Sequence, residues 1–173
     1  MTYALVAVFV VVAGILGFAA TRPDAFRLER SILIAAPAER IHPLIADFRS
    51  WRSWSPWENK APGMARTLSG AESGVGAAYA WEGNKDIGAG RMEILESSPQ
   101  RILIKLDFLR PFEAHNVAEF TLRPEGQGTQ VTWAMSGPQP FIGKLMSLVF
   151  SLERMVGPDF EAGLATLKHQ AEA

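Results

Sequence analysis

Six strand-like segments follow one another along the middle of the chain, and most connections between them are short. The segments are Met64 to Leu68, Ala77 to Glu82, Gly88 to Glu96, Arg101 to Leu109, Glu113 to Leu122 and Thr129 to Met135. Clusters of Gly, Pro, Asn and Ser separate them, as is typical of turns. Parallel pairing needs a crossover of a dozen or more residues, which connections such as Ser97 to Gln100 cannot supply. The segments therefore predict an antiparallel meander.

One face of this meander is expected to be covered by helix. The central strand places apolar side chains on one face, and Arg101, Lys105 and Asp107 on the other. Near the C-terminus, apolar residues recur at intervals of three and four, which indicates an amphipathic helix. These residues are Leu145, Leu148, Val149, Leu152, Met155 and Val156. Gly157 and Pro158 interrupt the pattern, so we expect one kinked helix or two collinear helices.

The segment before the meander predicts one more strand and a helix. Apolar and polar residues alternate from Arg27 to Ile34, which indicates a strand with one mainly apolar face. Pro37 then suits the first position of a helix. Pro43 cannot donate a backbone hydrogen bond inside that helix, so we expect a kink or break near Arg40.

The run from Tyr3 to Ala20 carries no charged residue. As a helix, these residues would rise about 27 Å, close to the hydrocarbon thickness of a bilayer of about 30 Å. We predict a transmembrane anchor over residues 1–21, a linker over 22–26 and one globular domain over 27–173. A cleaved signal peptide is the alternative, since Gly17 and Ala19 suit a cleavage site, but the basic segment that should precede the apolar run is missing.

The flanking charges predict the orientation of this anchor. Arg22, Arg27 and Arg30 lie just beyond the run, and no Lys or Arg precedes it. An excess of basic residues favours the cytoplasmic side, so the globular domain is predicted to be cytoplasmic. Asp24 and Glu29 reduce that excess, which leaves an extracytoplasmic domain as the alternative.

Composition narrows the classes of function. The net charge is -1, with acidic and basic residues mixed along the chain, which argues against nucleic acid as a partner. The chain has no cysteine, so disulfides, thiolate metal sites and a cysteine nucleophile are excluded.

Several short motifs carry a family resemblance over nearly the whole predicted domain. They lie at residues 29–32, 36–40, 47–51, 54–57 and 126–133 and read ERSI, APAER, DFRSW, WSPW and GQGTQVTW. With these motifs, the sequence resembles the START-like (SRPBCC) superfamily, which includes plant pollen-allergen proteins and the polyketide cyclase/dehydrase and lipid-transport group. The resemblance implies an α+β helix-grip fold, in which a curved antiparallel sheet wraps around a long C-terminal helix. It also implies an apolar cavity for a hydrophobic small molecule or lipid.

Aromatic, methionine and amide side chains are our candidates for the ligand-binding wall of this cavity. They are Trp54, Trp57, Tyr79, Trp81, Met92, Phe108, Asn116, Phe120, Trp133 and Met135. The tryptophans from Trp51 to Trp57 suit either a pocket rim or plain core. Asn116 suits either a ligand contact or a hydrogen bond to buried main chain.

The sequence shows no spacing of residues that is typical of a catalytic or metal-binding site. His42, His115 and His169 lie on separate predicted elements, without the spacing of metal ligands. We therefore predict no catalytic residue, no metal and no cofactor.

Three hypotheses for function follow. The first is a membrane-tethered, noncatalytic binder or carrier of a hydrophobic molecule, and the second is a cyclase, dehydratase or hydrolase acting on an apolar substrate. The third is an interaction module whose cavity is filled by its own side chains. Ala78, Ala80 and Ala118, interpreted as inward residues, are too small to fill a cavity and argue against the third.

Overall fold

A computed structural model describes residues 2–173, and seven strands form one antiparallel sheet. The strands are β1 Ala25–Ile34, β2 Ala65–Gly70, β3 Ala77–Glu82, β4 Ala89–Ser98, β5 Arg101–Arg110, β6 Ala114–Glu125 and β7 Gly128–Pro138. Their order is β1-β7-β6-β5-β4-β3-β2, so the chain runs as a meander from β2 to β7, and β1 pairs with β7. The predicted antiparallel meander is confirmed.

Helices lie before, within and after the sheet. They are α1 Thr2–Ala20, α2 Ala38–Ala46, the 3₁₀ helix Phe48–Ser53, α3 Pro56–Lys60, α4 Phe141–Met146 and α5 Leu152–Glu172. The long helix α5 packs on β1 and contacts α2, α3 and the 3₁₀ helix. This arrangement is the α+β helix-grip fold that the sequence predicts.

The C-terminal helical region is interrupted at a different place from the one predicted. Helix α5 continues through Gly157 and Pro158, and the interruption falls at residues 147–151, between α4 and α5. Contacts with β1 hold α5 across the Gly-Pro pair, since the Arg30 guanidinium bonds Glu153 at 2.5 Å and Glu161 at 2.7 Å. A Cβ on Gly157 would lie 2.5 Å from that guanidinium, so glycine lets the arginine pass.

Helix α2 runs unbroken through Pro43 for nine residues, so of the predicted kink or break near Arg40 the break is wrong. Its last carbonyl groups are bonded by two tryptophan side chains. The indole N–H of Trp51 donates to the Ile45 oxygen and that of Trp54 to the Leu44 oxygen, each at 2.9 Å. These bonds satisfy acceptors that a helix end leaves free, and they stabilise a short helix that contains proline.

The strand register places several chain segments at one end of the sheet, here called the α1 end. Ala25 pairs with Pro138, and Arg110 and Glu82 both pair with Ala89. The start of β1, the end of β7, the β3–β4 turn and the β5–β6 turn therefore share this end. The opposite half of the molecule is filled by fully buried side chains, among them Ile34, Ile41, Ile102, Ile104, Leu122 and Leu167.

Within residues 2–173, one helix is long and apolar enough to cross a membrane by length and composition. It spans Tyr3–Ala20, and nearly all of its side chains are exposed. Ala19 is the exception, because it is fully buried where α1 meets α4.

Candidate ligand cavity

A cavity of about 220 Å³ lies between the sheet and the first half of α5. Strands β3 to β7 form its floor, and α3, the 3₁₀ helix and α5 close it from above. Its apolar walls are Trp51, Trp57, Met64, Tyr79, Trp81, Ile87, Met92, Leu106, Phe108, Ala118, Trp133, Met135, Val156 and Phe160. Trp81, Ile87 and Phe108 belong to strand ends and a turn at the α1 end, so the cavity occupies that half of the molecule.

Seven of the ten predicted wall residues line this cavity. They are Trp57, Tyr79, Trp81, Met92, Phe108, Trp133 and Met135. Six of them come together because alternate residues of neighbouring strands point to the same face of a sheet. Trp57 joins them from α3, above the sheet. That they bind a ligand stays a prediction.

The other three predicted residues, Trp54, Asn116 and Phe120, lie outside the cavity wall. Trp54 and Phe120 are buried core residues whose rings pack edge to face at 6.0 Å. Asn116 lies over Gly137 of β7, and a Cβ on that glycine would come within 2.0 Å of the amide oxygen. Sequence alternation identifies these residues as inward, but it cannot tell packed core from the border of a cavity.

The tryptophans between Trp51 and Trp57 take both of the roles that the sequence allows, packed core and cavity wall. Trp54 is core, and Trp57 is half-buried in the cavity wall. Trp51 serves both roles, because it is buried and also lines the cavity.

The three alanines that were predicted to face inward do not all do so. Ala118 borders the cavity, whereas Ala78 and Ala80 lie on the outer face of the sheet, where they pair with Glu93 and Arg91. The interpretation of Ala78 and Ala80 as inward is therefore wrong, since inward Tyr79 stands between them in a pleated strand.

Val156 and Phe160 of α5 and Glu58 of α3 also line the cavity, although they were not predicted to. The spacing of four residues between Val156 and Phe160 places them on one helix face, so sequence periodicity contains that signal. Nothing in the sequence marks Glu58, because a glutamate in a short polar segment is usually solvated.

A buried polar cluster interrupts the apolar wall. The Tyr79 hydroxyl donates to Glu58 Oε1 at 2.8 Å, and Arg66 Nε donates to Glu58 Oε2 at 2.7 Å. Glu58 is only 8% exposed, so its charge depends on the guanidinium that faces it. Burial, together with the bond to Glu58, raises the pKa of Tyr79 far above its usual range, and the bond to Glu58 raises the pKa of Arg66. Tyr79 is therefore a permanent hydroxyl group in the cavity wall.

Trp133 holds the aromatic side of the cavity together. Its ring stacks on Phe160 at 4.1 Å and on Phe120 at 5.0 Å. A Cβ on Gly163 would lie 2.9 Å from this indole, so glycine allows α5 to approach it closely. Among the described residues, no group accepts a hydrogen bond from the buried Trp133 Nε1. The wall is thus held by ring packing.

The histidines lie away from the cavity. His115 Nδ1 is 2.8 Å from Asp107 Oδ1, and His42 Nε2 is 3.1 Å from the Ser97 hydroxyl. Across residues 2–173, no three His, Asp or Glu side chains are grouped closely enough to hold a metal ion.

Comparison with known proteins gives one family. The family model described as "Polyketide cyclase / dehydrase and lipid transport" matches residues 25–172, which is most of the chain. No curated protein matches the sequence.

Solved structures with the same fold are numerous, and all those described here have low sequence identity. A protein from Chromobacterium violaceum has 18% identity and a TM-score of 0.59, over 87% of this chain and 99% of its own. The Aha1 dimer from Colwellia psychrerythraea has 16% identity and a TM-score of 0.61, over 85% of this chain and 96% of its own. The di-domain ARO/CYC StfQ of the steffimycin biosynthetic pathway has 13% identity and a TM-score of 0.63, over 86% of this chain and 51% of its own. At these identities, the likeness concerns the fold.

Proposed function

Because this chain belongs to the polyketide cyclase/dehydrase and lipid transport family, we propose that it binds a hydrophobic small molecule or lipid in its cavity, tethered to a membrane by α1. The observation that carries this proposal is the cavity of about 220 Å³ with an almost entirely apolar wall. Apolar side chains around unfilled space gain contacts when an apolar ligand enters.

The size and polarity of the cavity support a particular class of ligand. An engineered apolar cavity of about 150 Å³ binds benzene, so about 220 Å³ suits a group on the order of two fused rings. The Tyr79 hydroxyl and the Glu58 carboxylate provide polar contacts at one part of the wall. A largely apolar ligand with a single polar group satisfies both features.

The proposed division of the chain is an anchor over residues 1–21, a linker over 22–26 and a ligand-binding domain over 27–173. The length and composition of Tyr3–Ala20 support the anchor. The arginines at 22, 27 and 30 support a cytoplasmic domain.

Native mass spectrometry of the full chain, extracted from membranes in detergent, tests the proposal. We expect a bound hydrophobic compound that is lost from an Ala118→Leu variant and kept by an Ala80→Leu variant. Ala118 borders the cavity, whereas Ala80 lies on the outer face of the sheet, so the same substitution is compared at two sites. A compound that both variants retain equally would refute the cavity as its binding site.

The polar cluster supports a second candidate, a cyclase or dehydratase acting on an apolar substrate. Glu58 lines the cavity with the Tyr79 hydroxyl bonded to it, and a carboxylate held in a cavity wall acts as the general base in many enzymes. A Tyr79→Phe variant separates the two candidates. An enzyme would lose conversion of the bound compound, seen as a change in mass for a dehydration and as a change in chromatographic retention for a cyclisation. A carrier would show no conversion in either form.

A further inference from the structure

Outside α1, the most exposed large apolar side chains of the described residues lie in two segments of the chain. The β5–β6 turn exposes Phe112 to 83%, and the segment from α4 to the start of α5 exposes Ile142 to 65% and Val149 to 78%. Met146, Phe150 and Met155 in the same segment are also exposed. We call these six residues the apolar rim. Single exposed apolar residues are ordinary, but a group of large ones marks an interaction surface.

The two segments of the apolar rim lie at the same end of the sheet. Phe112 follows β5, which ends at Arg110, and Arg110 pairs with Ala89 at the α1 end. Helix α4 follows β7, which ends at Pro138, and Pro138 pairs with Ala25 at the same end. The rim and the last turn of α1 therefore lie on one side of the domain.

Direct contacts tie α4 to α1. Helix α4 packs against α1, where Ala19 is fully buried. Lys144 of α4 forms an ion pair with Asp24 at 2.5 Å, and the Gln139 N–H donates to the Asp24 carbonyl at 2.7 Å. Asp24 lies four residues beyond the end of α1, so the chain between them spans at most about 14 Å. The rim is consequently held close to the end of the apolar helix.

Part of the cavity wall comes from the same end of the domain. Val156 lines the cavity and directly follows Met155 of the rim. Phe108 and Ile87 also line the cavity, and both lie at the α1 end, in β5 and in the β3–β4 turn. Residues of the cavity wall and residues of the apolar rim thus lie at the same end of the domain.

We propose that the apolar rim lies in the interfacial layer of the bilayer that holds α1, so that the cavity exchanges its ligand directly with the lipid phase. The ligand is then an amphiphile dissolved in the membrane, not a compound collected from water. This inference rests on the proposed anchoring by α1. We expect lipid to cover the apolar rim because the rim continues the apolar surface of α1. Amphipathic segments typically lie at the depth of the interfacial layer.

The charges near the apolar rim indicate which lipid composition is sufficient for its binding. Arg154 and Glu153 are neighbours within the segment that carries the rim, and Lys144 is paired with Asp24. A mixed set of charges provides little attraction to anionic lipid. Neutral phosphatidylcholine vesicles are therefore the membrane for the test.

The absence of cysteine allows a nitroxide label to be placed at one position at a time. The full chain is reconstituted in phosphatidylcholine vesicles with the label at Phe112→Cys or Val149→Cys. Val10→Cys in α1 reports the anchor, and Leu33→Cys at the opposite end of the sheet is the matched control, with 47% exposure in the native chain. The measurement compares the accessibility of each label to oxygen, which dissolves in lipid, and to a water-soluble nickel chelate.

We expect the labels at 112 and 149 to shift toward oxygen relative to the label at 33, though less than the label at 10. If the label at 10 lies in lipid while those at 112 and 149 resemble that at 33, the rim proposal is overturned and the anchor stands. If the label at 10 also resembles that at 33, the anchor fails, and the inference fails with it. Dipolar broadening between labels at 149 that disappears on dilution with unlabelled chain would assign the rim to a second copy and overturn the proposal.

Discussion

Ala118 is the position at which the cavity can be filled with least disturbance of the fold. Its side chain borders the cavity from the floor, on a strand buried between β5 and β7. Leucine at this position extends three additional carbon atoms into the space. If the space is empty in the free protein, these atoms find room without moving their neighbours.

The expected loss of affinity follows from the buried area that the leucine removes from the ligand. A buried methylene group contributes about 0.8 kcal/mol, so displacing three from contact costs about 2.4 kcal/mol. At about 1.4 kcal/mol for each factor of ten, the Kd rises about 50-fold. The free energy of unfolding should stay unchanged or rise, because the substitution fills a void.

The probe for this experiment is 2-naphthol, whose two fused rings fit the proposed ligand size. The full chain is held in phosphatidylcholine nanodiscs, and binding is followed by quenching of tryptophan fluorescence, since Trp51, Trp57, Trp81 and Trp133 line the cavity. Empty nanodiscs correct for partition of the probe into lipid, and Ala80→Leu is the matched control. Thermal unfolding is measured on all three forms.

Unchanged affinity in Ala118→Leu would refute the reasoning. So would a fall in stability of about 1–3 kcal/mol, the usual cost of overpacking a filled core, because it would show that the space beside Ala118 is already occupied.

Three further predictions concern packing and charge. Gly137→Ala would bring a Cβ within 2.0 Å of the Asn116 amide oxygen, so we expect a loss of about 1–3 kcal/mol, seen as a lower Tm. Gly163→Ala would place a Cβ 2.9 Å from an indole carbon of the cavity wall, and should weaken 2-naphthol binding as well as lower the Tm. The bond to Asp107 raises the pKa of His115, so an NMR titration should place that pKa above the usual histidine value. A pKa raised by folding stabilises the protein at low pH. A difference in Tm between wild type and His115→Gln should therefore be present at about pH 5.5 and disappear as the pH rises through the folded pKa; a difference that grows with pH would contradict this assignment.

Much of the fold follows from the amino-acid sequence because it depends on neighbours along the chain. Alternation of apolar and polar residues and short connections were enough to predict the strands and their antiparallel pairing. Residues Tyr3–Ala20 are apolar throughout, which predicts a long helix of membrane length without any tertiary contact. Six of the seven predicted residues that line the cavity do so for the same local reason, since alternate residues of a strand share a face. The seventh, Trp57, lies in α3.

Only the tertiary structure decided which inward residues border empty space. Phe120 and Ala118 share one face of β6, yet Phe120 packs against Trp133, while Ala118 borders the cavity. The difference arises because Trp51 and Trp54, which follow α2, also pack edge to face on Phe120. The close approach of α5 to Trp133 at Gly163 and the ion pairs of Arg30 likewise join residues far apart in the chain.

The polar part of the cavity likewise depended on tertiary contacts. Glu58 enters the wall because Arg66 and Tyr79 meet it from other elements, and without them the cost of burial would keep a carboxylate in water. The position of the exposed apolar residues beside α1 depends on the pairing of β1 with β7, whose ends lie more than a hundred residues apart in sequence. Local patterns thus determined the elements of this protein, whereas long-range packing determined the cavity and the surface around it.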